Sequence, residues 1–260
     1  MTDRPAGMTV RDSWRLAAGT LTVLPVGAPS HVDARTTRAA MMLAPVAVVP
    51  LGIAVAAVGF AGQLLGLPAL VVGLLIVGVL ALGSRCLHLD GLSDTVDGLT
   101  ASYDRARSLA VMKSGTAGPA GVVALVVVLG LQAGALAAFV TTPLGPILAG
   151  TAVLVSRAAL VVCCLRGVPS ARPDGLGGSY SGNVPRSGAA IVWLLAVAAL
   201  TAAAALAGLP WWRGAVAAAA ALVAVAALLR RTHRRLGGVT GDVFGAAVEL
   251  ALTATLVSLT

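Results

Sequence analysis

The chain has 260 residues, of which 58% are hydrophobic, 3% are aromatic and only 11% are charged. A water-soluble domain of this length is about 25% charged, so the composition excludes an ordinary soluble globular protein. The net charge of +8 does not indicate nucleic acid binding, because the basic residues lie in short clusters between long uncharged segments.

Four uncharged segments dominate the chain and predict a polytopic membrane protein. They are residues 39–84, 114–156, 187–212 and 214–229. Crossing the roughly 30 Å apolar core of a bilayer takes about 20 helical residues, so each of the first two segments can hold two helices. Their runs of Ala, Val, Leu and Gly lack the alternation of a transmembrane barrel. The sequence therefore predicts an all-α fold.

In chain order, the hydropathy pattern predicts about seven transmembrane helices. They lie near 40–60, 67–86, 119–140, 144–166, 188–208, 211–229 and 243–260. We interpret the chain as one integral membrane domain over 1–260, with a cytoplasmic arm at 1–38 and a helical bundle at 39–260. The apolar run 16–26 in the arm is too short to span the bilayer, and we expect it to lie at the interface or to re-enter the membrane.

The basic residues predict which side of the protein faces the cytoplasm. They lie in the arm and in three alternate loops, whereas the turns near 61–67 and 141–146 are uncharged and the turn at 208–214 has Arg213 alone. Because cytoplasmic loops are enriched in Lys and Arg, the N-terminus is predicted to be cytoplasmic and, after seven crossings, the C-terminus external. The acidic residues, except Glu249, follow the same side, so a polar active site is expected there.

The segment "LHLDGLSDTVDGLTAS", residues 87–102, holds three of the ten acidic residues of the chain: Asp90, Asp94 and Asp97. Spacings of four and three place their carboxylates within an arc of about 60° on one helix face. Gly91 and Gly98 permit close approach of another backbone or of a phosphate. Three carboxylates on one face repel each other unless a cation lies between them, and Mg²⁺ is the cation that such a set favours. The alternative is a solvated amphipathic face.

A second candidate segment is "LGGVTGDVFGAAVEL", residues 236–250. Asp242 opens the last predicted span, and Glu249 lies two turns deeper on the same face. An ionisable residue inside a span is a functional candidate, although Asp242 as a helix cap and Glu249 as a packing partner are the alternatives. The glycine-rich turn that ends at Gly241 exposes amides at a helix N-terminus, where a phosphate binds favourably.

A third candidate segment is "MKSGTAGPAG", residues 112–121, a glycine-rich turn that opens another span. It offers Lys113 as a cation and Gly118 at the helix start as phosphate ligands, although such turns are common in loops. Arg157 lies inside the fourth predicted span and requires a carboxylate or phosphate partner, in a functional or a structural role. Together, clustered carboxylates, two glycine-rich helix starts and several arginines suit a metal-assisted reaction on a phosphorylated or pyrophosphorylated substrate.

These segments together resemble the cobalamin synthase family, the adenosylcobinamide-GDP ribazoletransferases. The likeness rests on "DGLSDTVDGL" at 90–99, on Arg105 and "VMKSGTAGPAG" that follow, on "LGGVTGDVFGAAVEL" and, more weakly, on "TLTVLPV" at 20–26. In one departure, many members carry Asp-Ser-Arg after the Met-Lys, where this chain has Ser114, Gly115 and Thr116. Any phosphate or metal contact of that Asp or Arg must come from another residue here, or is absent.

The resemblance implies a Mg²⁺-dependent phosphotransferase of the prokaryotic cell membrane that acts at the last assembly stage of vitamin B12 synthesis. Such an enzyme joins adenosylcobinamide-GDP to α-ribazole or its 5′-phosphate, releases GMP and yields adenosylcobalamin or its phosphate. The expected partners are these substrates and the lipid bilayer, without nucleic acid. The expected roles are Mg²⁺ binding by Asp90, Asp94 and Asp97, catalysis by Asp94 and Asp242, with Asp242 on the metal or activating the hydroxyl, and substrate binding by Lys113, Arg105, Arg157, Gly118 and Gly241.

Three other functional classes share part of this pattern. Membrane prenyltransferases usually have two Asp-rich motifs of comparable strength, and CDP-alcohol phosphotransferases begin their motif D-G-x-x-A-R, whereas here Asp90-Gly91 is followed by Leu92, Ser93, Asp94 and Thr95. An ion-coupled transporter would account for Glu249, but it would often show inverted repeats and acidic residues near the bilayer midplane. The sequence fits these classes less well than the ribazoletransferases.

Overall fold

The computed structural model describes residues 6–260, and within this range the secondary structure is almost entirely helical. Two isolated bridges, Leu165 with Val184 and Ser170 with Val239, are the only β pairings in that part of the chain. The thirteen helices of the described residues are α1 (Ala6–Leu21), α2 (Ala34–Ala47), α3 (Val49–Leu64), α4 (Ala69–Gly83), α5 (Leu87–Ala101), α6 (Arg105–Met112), α7 (Pro119–Phe139), α8 (Gly145–Ser156), α9 (Ala159–Cys163), α10 (Leu176–Tyr180), α11 (Arg186–Leu206), α12 (Trp212–Leu236) and α13 (Gly241–Leu259).

Six helical stretches in residues 6–260 are long and apolar enough to cross a membrane. They are Ala34–Leu64 (α2 with α3), α7, Gly145–Cys163 (α8 with α9), α11, α12 and α13. The bent pair of α4 and α5 makes a seventh. The structure therefore confirms the prediction of an all-α polytopic membrane protein with about seven transmembrane helices. The cytoplasmic placement of the N-terminus stays a prediction.

The chain bends by 90° between α4 and α5. Arg85 and Cys86 at the bend both have a φ of 56°. This is the left-handed region, which residues other than glycine rarely adopt. The Arg85 guanidinium donates to the carbonyl oxygen of Gly19 at 2.6 Å, which ties the bend to α1. The second predicted span, 67–86, therefore ends at Gly83, and the aspartate motif lies on a separate helix.

The arm packs on the bundle through α1, whose Ala17, Ala18 and Leu21 are buried. The predicted interfacial run 16–26 is helical only as far as Leu21. Beyond that point the Val23 amide donates to the carbonyl oxygen of Gly83 at 2.9 Å. The run is thus half helix and half loop, held against the end of α4, and its contact with the membrane interface stays a prediction.

Small residues let the transmembrane helices approach backbone to backbone. A Cβ added to Gly150 in α8 would lie 2.6 Å from the carbonyl oxygen of Gly52 in α3. A Cβ on Gly73 in α4 would lie 2.3 Å from that of Ala133 in α7. Because lipid tails are as apolar as the side chains, helices in a bilayer associate through such close packing rather than through hydrophobic burial.

Helix α13 is the central element of the bundle, and it packs against α5, α7, α8, α9 and α12. Its contact with α5 depends on two glycines. A Cβ on Gly91 would lie 2.6 Å from the carbonyl oxygen of Asp242, and one on Gly245 would lie 3.0 Å from the Cα of His88. This close approach brings the acidic motif of α5 next to Asp242 at the start of α13, although the two lie far apart in the sequence.

Candidate active site

Asp90 and Asp94 of α5 and Asp242 of α13 form the group that we call the acidic junction. Asp90 is exposed, and Asp94 and Asp242 are partly buried. Gly91, beside Asp90, packs against the backbone of Asp242, and the carboxylate of Asp94 lies close enough to Asp90 and Asp242 for the three negative charges to repel one another. Within residues 6–260, no Lys or Arg nitrogen lies within 4.0 Å of a carboxylate oxygen of these three residues. The ion pair found in that range joins Lys113 and Asp174.

Asp97, the third member of the predicted stripe, is buried and serves another helix. Its Oδ2 accepts from the Gly118 amide at 2.7 Å, and its Oδ1 accepts from the Gly121 amide at 2.9 Å. A carboxylate stabilises a helix N-terminus in this way by satisfying unpaired amides. Asp97 of α5 thus caps α7, and the expected roles of Asp97 as a metal ligand and of Gly118 as a phosphate ligand stay predictions.

The acidic junction is an open set of oxygen ligands rather than a preformed metal cage. No group of three or more His, Cys, Asp or Glu side chains within residues 6–260 is arranged to hold a metal ion. Mg²⁺ does not require such a cage, since it usually keeps several waters and binds one or two carboxylates together with substrate phosphates. Neighbouring carboxylates without a protein cation between them fit that mode of binding.

The start of α13 is capped by Thr240 rather than by Asp242. The Thr240 Oγ1 accepts from the Val243 amide at 3.3 Å and lies 3.1 Å from Asp242 Oδ2. The hydroxyl can therefore cap the helix and donate to the carboxylate at once. Asp242 is thereby oriented by its neighbour and stays available to a ligand, which excludes the alternative of a simple helix cap.

Two cavities meet at Asp242, and both are also lined by Gly241 and Leu176. The polar cavity, of about 170 Å³, is lined in addition by Ser170, Arg172, Asp174 and Thr240. The apolar cavity, of about 100 Å³, is lined by Asp90 and by buried side chains of α2, α5, α9, α10 and α13. The acidic junction thus lies where a polar space adjoins an apolar one.

Arg172 is the cation that lines the polar cavity, and sequence reasoning did not distinguish it from the other arginines of the predicted cytoplasmic loops. Its guanidinium donates to the carbonyl oxygen of Leu109, and it attracts Asp242 electrostatically. The surrounding loop is fixed, because the Ala171 amide donates to the carbonyl oxygen of Val239 at 2.8 Å. An anchored arginine beside an open carboxylate is well placed to bind a phosphate.

Arg105 and Lys113 each contact the loop that lines the polar cavity. Arg105 donates to the carbonyl oxygen of Ala171 at 2.9 Å and so holds the loop of Arg172. The Lys113 Nζ lies 3.0 Å from Asp174 Oδ2, and by donating to that carboxylate it lowers the pKa of Asp174. Their predicted contacts with phosphate remain predictions.

Arg157 and Glu249 are buried inside the bundle. Arg157 ends α8, and its Nη1 donates to Ser156 Oγ at 2.8 Å and to the carbonyl oxygen of Val153 at 3.1 Å. Glu249 accepts from Gln132 Nε2 at 2.8 Å. The two charged groups line one small cavity and attract each other. Arg157, at 1% exposure, therefore has protein partners, and its expected contact with substrate phosphate stays a prediction.

His88 and Tyr180 face the apolar cavity, and sequence reasoning missed both. Burial raises the pKa of Tyr180 to about 12, so that its phenol stays protonated at neutral pH. Neither ring nitrogen of His88 has a hydrogen-bond partner in the described structure. No spacing pattern in the sequence marks either residue, because α5 and α10 come to line one cavity only in the folded chain.

Comparison with known proteins identifies the family of this chain. The family model described as cobalamin-5-phosphate synthase matches residues 13–260. A relative from Nocardioides sp. is 56% identical over 96% of this chain and 98% of its own length. Relatives from Frankia casuarinae, 38% identical over 93% of this chain and 92% of their own length, and from Pseudomonas aeruginosa, 37% identical over 92% and 94%, are similar as well. All three are named adenosylcobinamide-GDP ribazoletransferase. No solved structure matches the chain. By the extent of these matches, the chain belongs to the cobalamin-5-phosphate synthase family.

Proposed function

We propose that this protein is an adenosylcobinamide-GDP ribazoletransferase, which joins adenosylcobinamide-GDP to α-ribazole or its 5′-phosphate and releases GMP. The observation that carries the proposal is the meeting of α5 and α13, which brings Asp90 and Asp94 close to Asp242, the carboxylate that lines the polar cavity with Arg172. The names of the full-length relatives supply the substrates.

We assign a Mg²⁺ site to the acidic junction. One or two of the carboxylates Asp90, Asp94 and Asp242 would hold the ion together with water and substrate phosphates. We assign Asp97 to the cap of α7 instead, where its two oxygens accept from the amides of Gly118 and Gly121. Bound at the acidic junction, Mg²⁺ supplies the charge neutralisation that a phosphoryl transfer requires. Arg172 would hold the phosphate oxygens that face the polar cavity.

The transfer is a substitution at the phosphorus attached to cobinamide. A ribazole hydroxyl oxygen forms the new bond to that phosphorus, and the bond between the same phosphorus and the bridging oxygen of the diphosphate breaks. GMP leaves with the bridging oxygen. Asp242, oriented by Thr240 at 3.1 Å, accepts the proton of the attacking hydroxyl. Positioning and charge stabilisation account for most of the rate in such transfers.

We further propose that the protein lies in the prokaryotic plasma membrane with the acidic junction on the cytoplasmic face. The concentration of Lys and Arg in the arm and in alternate loops supports this orientation. A reporter fused after Thr260 should read extracytoplasmic. A cytoplasmic signal at that position would contradict the topology while leaving the activity untouched.

The activity is tested with purified protein reconstituted into lipid vesicles. We expect GMP release from adenosylcobinamide-GDP only when α-ribazole and Mg²⁺ are both present, and loss of release when EDTA removes the metal. Activity that persists in EDTA would contradict the metal assignment alone. Absence of GMP release under every condition would contradict the proposed function.

A further inference from the structure

The apolar cavity opens beside the acidic junction, but the chemistry proposed above does not use it. Its walls include Leu21 of α1, Met41 of α2, Leu160 of α9, Tyr180 of α10 and Phe244 of α13. Its volume is about 100 Å³. This is smaller than the dry apolar cavities of about 150 Å³ that bind benzene, so the space can take one edge of a flat aromatic ring system while the rest of the ring lies in its opening.

His88 is the polar feature of this wall that lacks an explanation from the fold. His88 is 3% exposed and belongs to the wall of the cavity, yet neither Nδ1 nor Nε2 has a partner among the described residues. A buried polar group without a partner costs about 1–3 kcal/mol. Native proteins rarely carry such a cost unless a ligand or a water satisfies the group.

We propose that the apolar cavity binds the aromatic base of the nucleoside acceptor and that His88 donates a hydrogen bond to the base. This inference rests on the proposed function, because it takes the acceptor to be a ribazole. The base of a ribazole is a benzimidazole, a flat and largely apolar bicycle with one acceptor nitrogen. An apolar pocket with one imidazole donor is complementary to a ring of that kind.

The position of the cavity determines where the ribose attached to a bound base would lie. Asp90 and Asp242 line the same space as His88, and Asp242 also lines the polar cavity with Arg172. A base held at His88 places the attached ribose at Asp242, between the apolar and the polar cavity. His88 is thus a positioning and specificity residue, and it brings the sugar hydroxyl to the group that accepts its proton.

The test pairs a variant with a substrate analogue. In His88→Phe, the KM for α-ribazole should rise about tenfold, the size expected for one hydrogen bond, and the KM for adenosylcobinamide-GDP should stay unchanged. The ribosyl-indole analogue, which has C–H in place of the acceptor nitrogen, should show the same increase with the unaltered protein. In His88→Phe the analogue should suffer no further loss, because the two changes remove one contact.

The matched control is Trp193→Phe. Trp193 is another buried side chain whose ring nitrogen has no partner in the described structure, and it does not line the cavity. This variant should leave both KM values unchanged. If His88→Phe does not fold, the comparison of α-ribazole with ribosyl-indole on the unaltered protein still decides the question.

Several results would overturn the inference. One is an equal rise of the two KM values, for α-ribazole and for adenosylcobinamide-GDP, in His88→Phe. Another is that the effects of the variant and of the analogue on KM are fully additive. A third is equal KM values for α-ribazole and ribosyl-indole with the unaltered protein, as expected if a lipid tail fills the cavity. Binding of free 5,6-dimethylbenzimidazole, followed by its fluorescence, tests the cavity without turnover. It should weaken about tenfold in His88→Phe, and absence of binding would refute the base site even if the protein released no GMP.

Discussion

Helices α7 and α13 both begin in a glycine-rich turn, but the amides at the two helix starts have different hydrogen-bond partners. At the start of α7, the amides of Gly118 and Gly121 donate to Asp97, a carboxylate of the protein itself. At the start of α13, Thr240 caps the helix with a neutral hydroxyl, and the turn faces a cavity that contains Arg172. A glycine-rich helix start is a ligand site only where the protein leaves it open.

The same distinction separates the carboxylates. Asp97 and Glu249 are buried and hydrogen-bonded, whereas Asp90, Asp94 and Asp242 have no cation of the protein within ion-pair distance in residues 6–260, and Asp90 and Asp242 line the apolar cavity. Buried charges with partners hold the bundle together, and charges left unpaired at a cavity are available to a ligand. The predictions below test this division.

The largest effect is expected at the acidic junction. Asp94→Asn keeps the size of the side chain and removes a charge, so GMP release should fall by about 10²–10³-fold, as for the loss of one electrostatic contact to a transition state. Thermal unfolding in detergent should be unchanged. Asp104→Asn, at the exposed cap of α6, is the control with normal turnover. Near-normal turnover in Asp94→Asn would remove Asp94 from the site.

Asp97→Ala should affect stability more than chemistry. The change leaves two amides at the start of α7 without their carboxylate, and hydrogen bonds to a charged group contribute about 1.5–3 kcal/mol each. We expect a clear fall of the melting temperature, and less than about a tenfold loss of turnover well below it. Loss of turnover as complete as in Asp94→Asn, with an unchanged melting temperature, would return Asp97 to the metal site.

The contact between α5 and α13 is tested at Gly91. Gly91→Ala puts a methyl group 2.6 Å from the carbonyl oxygen of Asp242, and overpacking of this kind costs about 1–3 kcal/mol. The variant should melt earlier and release GMP more slowly, because Asp242 is displaced from Asp94. Gly78→Ala in α4 meets no atom within 4 Å and should behave as the unaltered protein. Equal behaviour of the two variants would contradict the close contact.

The smallest effect is expected at Lys113. Its partner Asp174 is exposed, and exposed ion pairs are screened by salt and contribute little. Lys113→Ala should therefore change the melting temperature little. A large fall of the melting temperature would contradict a weak ion pair, and a rise in the KM for adenosylcobinamide-GDP would support the phosphate contact predicted for Lys113.

The sequence predicted the parts of this protein that depend on local pattern. Uncharged stretches gave the transmembrane helices, and spacings of four and three gave the helical aspartate motif of α5. The bend at Arg85 and Cys86 was not predictable, because neither residue is a glycine and left-handed backbone then has no compositional signal. Contacts between distant segments were not predictable either, because they form only when the chain folds. Asp97 caps a helix 21 residues away, and Arg172 lies near Asp242 from a separate loop.

The central claim is that the acidic junction binds a divalent cation, and Mn²⁺ binding followed by electron paramagnetic resonance tests it most directly. Purified protein with adenosylcobinamide-GDP should bind Mn²⁺ and release it when Mg²⁺ is added. Asp94→Asn and Asp242→Asn should each weaken that binding at least about tenfold, whereas Asp104→Asn should not. Unchanged Mn²⁺ affinity in both junction variants would contradict the account.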